Sequence, residues 1–163
     1  MRIAPPPGAT TPFDHNAEVW RAFRRYYGTL WTEGLVDQPT KEVGRLRNAR
    51  VTGCGICKNL RFSGAREAGL TEDLVQLIHD DYRDKALPER FKLVIRYADV
   101  LIHAPATVDT ELRSALLAEF SPAEIVELTA TITTAVAFSK AAVAFGAPAE
   151  MPVLVVPTPA PDD

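Results

Sequence analysis

Cys54 and Cys57 are the only two cysteines in a chain of 163 residues, and they stand three apart in Thr52-Gly53-Cys54-Gly55-Ile56-Cys57. Two cysteines placed at random in such a chain fall at that separation about once in a hundred times, so the CxxC spacing calls for a chemical reason. On a helix, residues i and i+3 share a face, and two thiols there can close a disulfide with little backbone movement. Thr52 as N-cap and Gly53 at the entry would set both thiols in the first turn of a helix. There, free N–H groups and the positive end of the helix dipole favour the reactive thiolate. On this reasoning alone Cys54, nearer the terminus and more exposed, is the nucleophile.

The charge around the pair is reversed relative to the whole. Lys41, Arg45, Arg47, Arg50, Lys58, Arg61 and Arg66 face Glu42 alone over that stretch, in a chain of formal net charge −3. Cations turned toward the thiols would lower a cysteine pKa, and Arg61, four residues after Cys57, is the best placed on a continuous helix. Glu42 reads either as an acidic residue in a helix's first turn or as a partner of the thiols. His15, His79 and His103 lie far from the motif in sequence; any one of them would have to fold back to reach it. Two cysteines with distant histidines make a weak zinc set, so no metal and no cofactor are expected.

The elements that must hold these residues read as helices throughout. A proline-rich arm over 1–13 precedes a helical domain over 14–150, and an extended Pro-rich tail follows over 151–163. From Asp14, the residues Val19, Trp20, Phe23, Tyr26, Tyr27, Leu30 and Trp31 recur at helical spacing. That aromatic stripe reads as core or subunit interface, with a substrate-pocket wall as the alternative. Thr40 opens a short helix through Ala49, and the CxxC helix is expected to run on through Leu60 and Ala65 to Gly69. Further helices start at Thr71, Pro88 and Asp109. Ser121-Pro122-Ala123-Glu124 supplies a capping box with proline at N1 for a last helix to about Phe145. That helix is apolar on most faces, so it should lie centrally or between subunits. The Val-Pro tail should lie across a neighbouring surface. Nothing alternates with period two for long enough to suggest a sheet.

The net charge and a pI near 5.6 argue against nucleic acid or an anionic membrane surface as partner. No stretch has the ~20 uninterrupted apolar residues of a membrane span, and Met1 to Pro12 lacks the apolar middle of a signal peptide. A cytoplasmic setting is therefore expected, where an isolated CxxC is more often catalytic or metal-binding than a permanent staple.

Glu42, then Cys54 twelve positions on, then Cys57, with Leu46-Arg47-Asn48-Ala49-Arg50 before the motif and Ala68-Gly69-Leu70 after it, resembles the alkylhydroperoxidase AhpD and carboxymuconolactone decarboxylase family, in its CxxC branch. The likeness covers roughly residues 40 to 146. It implies an all-α AhpD-like bundle, commonly trimeric or a multiple of that, and a hydroperoxide reductase acting in antioxidant defence. By that resemblance Cys57 attacks the peroxide, Cys54 resolves the sulfenic acid as a disulfide, and Glu42 is the outer member of a proton relay. A dithiol protein or small thiol would restore the pair. The family's relay histidine falls at Arg61 here, and a second falls at Ile56. Arginine does not shuttle protons near neutral pH, but it can hold a thiolate and could pair with Glu42. Two other readings stay open: a redox-sensing or structural protein that kept the fold and dithiol without turnover, and, ranked lower, a lactone decarboxylase.

Overall fold

The computed structural model describes residues 2–161; Met1 of the expected arm and Asp162 and Asp163 of the expected tail lie outside the described residues. Eight α-helices and two short strands follow in order: α1 (Ala17–Thr32), α2 (Gln38–Val51), α3 (Gly55–Asn59), β1 (Leu60–Phe62), α4 (Ser63–Glu67), α5 (Glu72–Gln76), α6 (Glu89–His103), α7 (Thr110–Glu119), α8 (Pro122–Ala144) and β2 (Leu154–Val156). The expected all-α bundle is present.

Its centre is α2, which packs against both α6 and α8 and is buried continuously from Pro39 to Ala49. This helix is polar by composition, so its burial requires a partner for nearly every side chain. Lys41 donates to Glu127 (3.1 Å) and to the Leu30 carbonyl (2.9 Å), which ties α2 to α8 and to the end of α1. Arg47 reaches Asp99 on α6 and Asp80 before it (2.5 and 2.8 Å), and Asn48 donates to Ser139 (3.0 Å). Gly44 lets the crossing with α8 close up: a Cβ there would stand 2.8 Å from Ile132. Asp37 caps the helix by accepting from Thr40 N, three residues earlier than the start read from sequence.

The largest departure from the expected elements lies just after the cysteines. Thr52 ends α2 instead of capping a new helix, Gly53 turns the chain at φ +67°, and Cys54 is itself the N-cap of α3. α3 then stops after five residues and the chain runs extended through β1. The cause is competition for backbone groups. Arg45 donates to the carbonyls of Cys57 (2.6 Å) and Leu60 (2.7 Å), the acceptors that a continuing helix would offer to the N–H groups of Arg61 and Gly64. Phe62 N donates instead to Glu42 (3.2 Å) and Gly64 N to Thr158 (2.8 Å). β2 completes the arrangement by pairing parallel with β1, Leu60 to Leu154 through Phe62 to Val156. The tail therefore adds a strand that no period-two pattern foretold, and the surface it crosses is the chain's own.

The capping box of Ser121 and Glu124 is present, and Gly146 turns the chain beyond the helix with φ +97°. α8 is long and apolar enough, by length and composition alone, to cross a membrane. Its nearly all-round apolar character is what placed it centrally or between subunits from sequence. Its inner face, Leu128, Thr131, Ile132, Ala135, Ser139 and Ala142, is buried in the bundle, while Val126 and Val143 stay exposed. At the other terminus Ile3 N donates to the Phe145 carbonyl (3.3 Å), so the proline-rich segment meets the end of α8.

Candidate active site

Cys54 and Cys57 are joined as a disulfide, with Cα atoms 5.3 Å apart. Both are buried, but differently. Cys54 sits behind the loop at 0% exposure, and its sulfur accepts the Cys57 N–H (3.3 Å). Cys57, at 5%, lines a cavity of about 220 Å³ that Cys54 does not reach. Cys57 is the cysteine that opens onto the cavity and is the more exposed of the two, whereas helix position alone pointed to Cys54 as the more exposed.

The cavity is apolar. Trp20, Phe23 and Tyr27 of α1 and Phe138 of α8 wall one side, Leu60 and Phe62 of β1 the other, and Pro159 and Ala160 of the tail close it. The rings form a ladder: Trp20 on Phe23 at 5.3 Å, Phe23 on Tyr27 at 5.5 Å, and Phe138 against Phe23 at 5.3 Å. The aromatic stripe of α1 is thus a pocket wall as well as packing. A second apolar groove of about 570 Å³ continues beyond Trp20, Phe23 and Phe138 toward Phe13 and Phe145.

Glu42 is 1% exposed and grips Arg45 through two 2.7 Å bonds. Arg45 lies over the Phe62 ring, 4.6 Å from its centroid, and lines the cavity with Cys57. Burial opposes its charge, yet Glu42 outweighs burial and holds the guanidinium protonated even more firmly than usual. Tyr27, on the same wall, is pushed up to about 12, chiefly by burial and further by Glu42 against the opposing pull of Arg45, so its hydroxyl stays protonated.

Arg61 does not join this group. Alternate residues of a strand point to opposite faces, so Leu60 and Phe62 turn to the cavity while Arg61 turns away from it. It bonds both oxygens of Glu72 (3.0 and 2.9 Å) and the carbonyl of Lys58 (2.7 Å). The pairing with Glu42 expected for Arg61 is made by Arg45. The signal for Arg45 was the Glu42–Arg45 spacing of three on one helix; Tyr27 had none beyond its place in the stripe. No histidine lines the dithiol cavity: His15 meets the Ala4 carbonyl (2.9 Å), His79 meets Arg50, and His103 lies beside His79 in a separate depression. Among the described residues no group of His, Cys, Asp and Glu side chains is placed to hold a metal ion.

No family model matches the chain. It is similar to the uncharacterized proteins Rv2313c and MT2376 of two Mycobacterium tuberculosis strains, 36% identical over 138 residues, 84% of this chain. It spans 48% of those relatives' length. Its fold is similar to that of an Agrobacterium tumefaciens protein, ATU0492, whose crystal structure is described as that of a protein of unknown function and a candidate antioxidant defence protein AhpD. That match has a TM-score of 0.71 and 21% identity, over 83% of this chain and 93% of the other. The chain has the AhpD-like fold, a helical bundle, and within it carries a bonded Cys54–Cys57 pair.

Proposed function

We propose that the protein is a CxxC-dependent thiol peroxidase that reduces apolar organic hydroperoxides. The observation that carries this reading is that Cys57 opens onto a cavity walled by stacked aromatic rings, and Arg45 borders the same space. In the reduced protein the Cys57 thiolate attacks the outer peroxide oxygen. The O–O bond breaks, Cys57 becomes a sulfenic acid, and the alkoxide takes a proton from the Cys54 thiol to leave as an alcohol. The Cys54 thiolate then attacks the Cys57 sulfur, the disulfide forms, and the hydroxide lost is protonated to water. A dithiol, protein or small molecule, returns the pair to thiols and completes the electron balance.

Arg45 supplies by charge what a relay histidine would supply by proton transfer: a positive group fixed near Cys57 that favours its thiolate. Glu42 keeps that guanidinium in place and is a positioning residue. Tyr27, protonated, offers a hydrogen bond to the departing oxygen.

The test is hydroperoxide consumption under a dithiol reductant with cumene hydroperoxide and hydrogen peroxide as substrates. Turnover should vanish in both Cys57→Ser and Cys54→Ser and should favour the aromatic peroxide. A second reading, a redox-responsive protein without turnover, is favoured by the orientation of Arg61 toward Glu72 and the lack of histidine at the cavity. Disulfide formation at a normal rate with no sustained consumption of either peroxide would select it and reject the peroxidase.

A further inference from the structure

On the opposite side of the CxxC loop from the apolar cavity lies a depression of about 630 Å³. Its walls bring together Arg47, Arg50, Lys58, Arg61, His79 and His103, in a chain whose total charge is negative. Two of the four permanent cations are matched by carboxylates: Arg47 by Asp80 and Asp99, Arg61 by Glu72. Arg50 and Lys58 have no carboxylate within ion-pair distance among the described residues. The Arg50 guanidinium bonds the His79 ring (2.6 Å) and the Val75 carbonyl (2.9 Å), and its Nε is buried without a partner.

We infer that this depression is a binding site for a multivalent oxyanion, the phosphate group of a small molecule or the free ion. Cations gathered in a concave, partly dehydrated site repel one another unless an anion joins them, and a doubly charged anion satisfies two unpaired cations at once. The planar fork of Arg50, already oriented by His79 and Val75, suits phosphate geometry, and Lys58 adds a mobile point charge. Burial first, and then the Arg61 charge, hold Arg50 below the usual arginine range, the cost expected of a cation kept without its counter-charge. The volume exceeds what one phosphate fills and falls in the range of small-molecule sites, which leaves room for an organic portion.

The site is independent of peroxide turnover, so its test reads binding. Amide chemical shifts of the isotopically labelled protein would be followed while inorganic phosphate, adenosine diphosphate or adenosine is added at constant ionic strength. Saturable shifts at Gly53, Lys58, Asn59 and Arg61 with either phosphate compound support the site, and adenosine should leave them unmoved. Tighter binding of the nucleotide assigns the site to a phosphorylated molecule; equal or tighter binding of phosphate assigns it to the free ion. Arg50→Gln should weaken binding by roughly tenfold. Lys58→Gln, at a half-buried side chain, should do the same, and exposed Arg25→Gln should change nothing. The inference fails if neither phosphate compound gives saturable shifts at millimolar concentration, or if Arg25→Gln weakens binding as much as the cavity variants.

Discussion

Glu42 and Arg45 form a buried pair whose hydrogen bonds also end α3 and start β1, so two kinds of consequence follow from changing either one. Removing one partner strands a buried charge, and Arg45→Gln or Glu42→Gln should each lower stability by about 3 kcal/mol in chemical denaturation. The double variant should cost less than the sum, since no charge is then left alone. In a variant that still folds, the pH midpoint for alkylation of reduced Cys57 should rise by about one unit in Arg45→Gln, because the cation that favours the thiolate is gone. An unchanged midpoint would remove Arg45 from the chemistry. Arg61→His, by contrast, should not raise peroxide turnover, because position 61 faces Glu72 and not the cavity. The spacing of Cys57 and Arg61 suggested a shared helical face; the helix ends between them, and strand alternation sends the side chain the other way. The cysteines could be picked out by type and spacing, and Glu42 only through the family resemblance. The role of Arg45 could not, because it depends on where the chain stops being helical.

Helix boundaries marked by side-chain caps were legible: Thr71, Asp109 and Ser121 each accept from the backbone N–H three residues on, as their residue types suggested. α2 was the least legible, because a buried helix full of charge carries no apolar stripe; its partners Asp80, Asp99, Glu127 and Ser139 come from distant sequence. Its true cap, Asp37, allows a test. Burial pushes the Asp37 carboxyl up, but bonds from Thr40 and the charge of Arg90 outweigh it, and the net position is below the usual range. A carboxyl lowered on folding stabilises the fold above its unfolded pKa, near 4, and that contribution is lost as pH falls through the folded value. Asp37→Ala should therefore cost about 1 kcal/mol at neutral pH. Its stability should converge with the wild type as pH drops below the carboxylate range, which a series of denaturation curves would resolve.

The tail determines how the whole molecule presents its dithiol. Pro148 and Ala149 lie against Gly55, β2 pairs with β1, Thr158 accepts from Gly64, and Ala160 rests on Gly28 of α1. A Cβ at Gly28 would stand 2.2 Å from the Ala160 backbone. Gly28→Ala should improve the helix by up to about 1 kcal/mol in isolation, yet it must displace the tail. Faster amide exchange at Leu154 to Val156 and faster alkylation of reduced Cys57, with the bundle intact by circular dichroism, are the expected outcomes. Unaltered exchange would mean that the tail does not depend on this contact. The pairing of β1 with β2 also orders events in time. A parallel pair across so much intervening chain can close only after the helices between have brought its ends together, since loop closure must precede the contacts that reward it. The cavity wall that the tail provides thus closes only after the helices that frame it. Until then Cys57 meets solvent in place of its pocket.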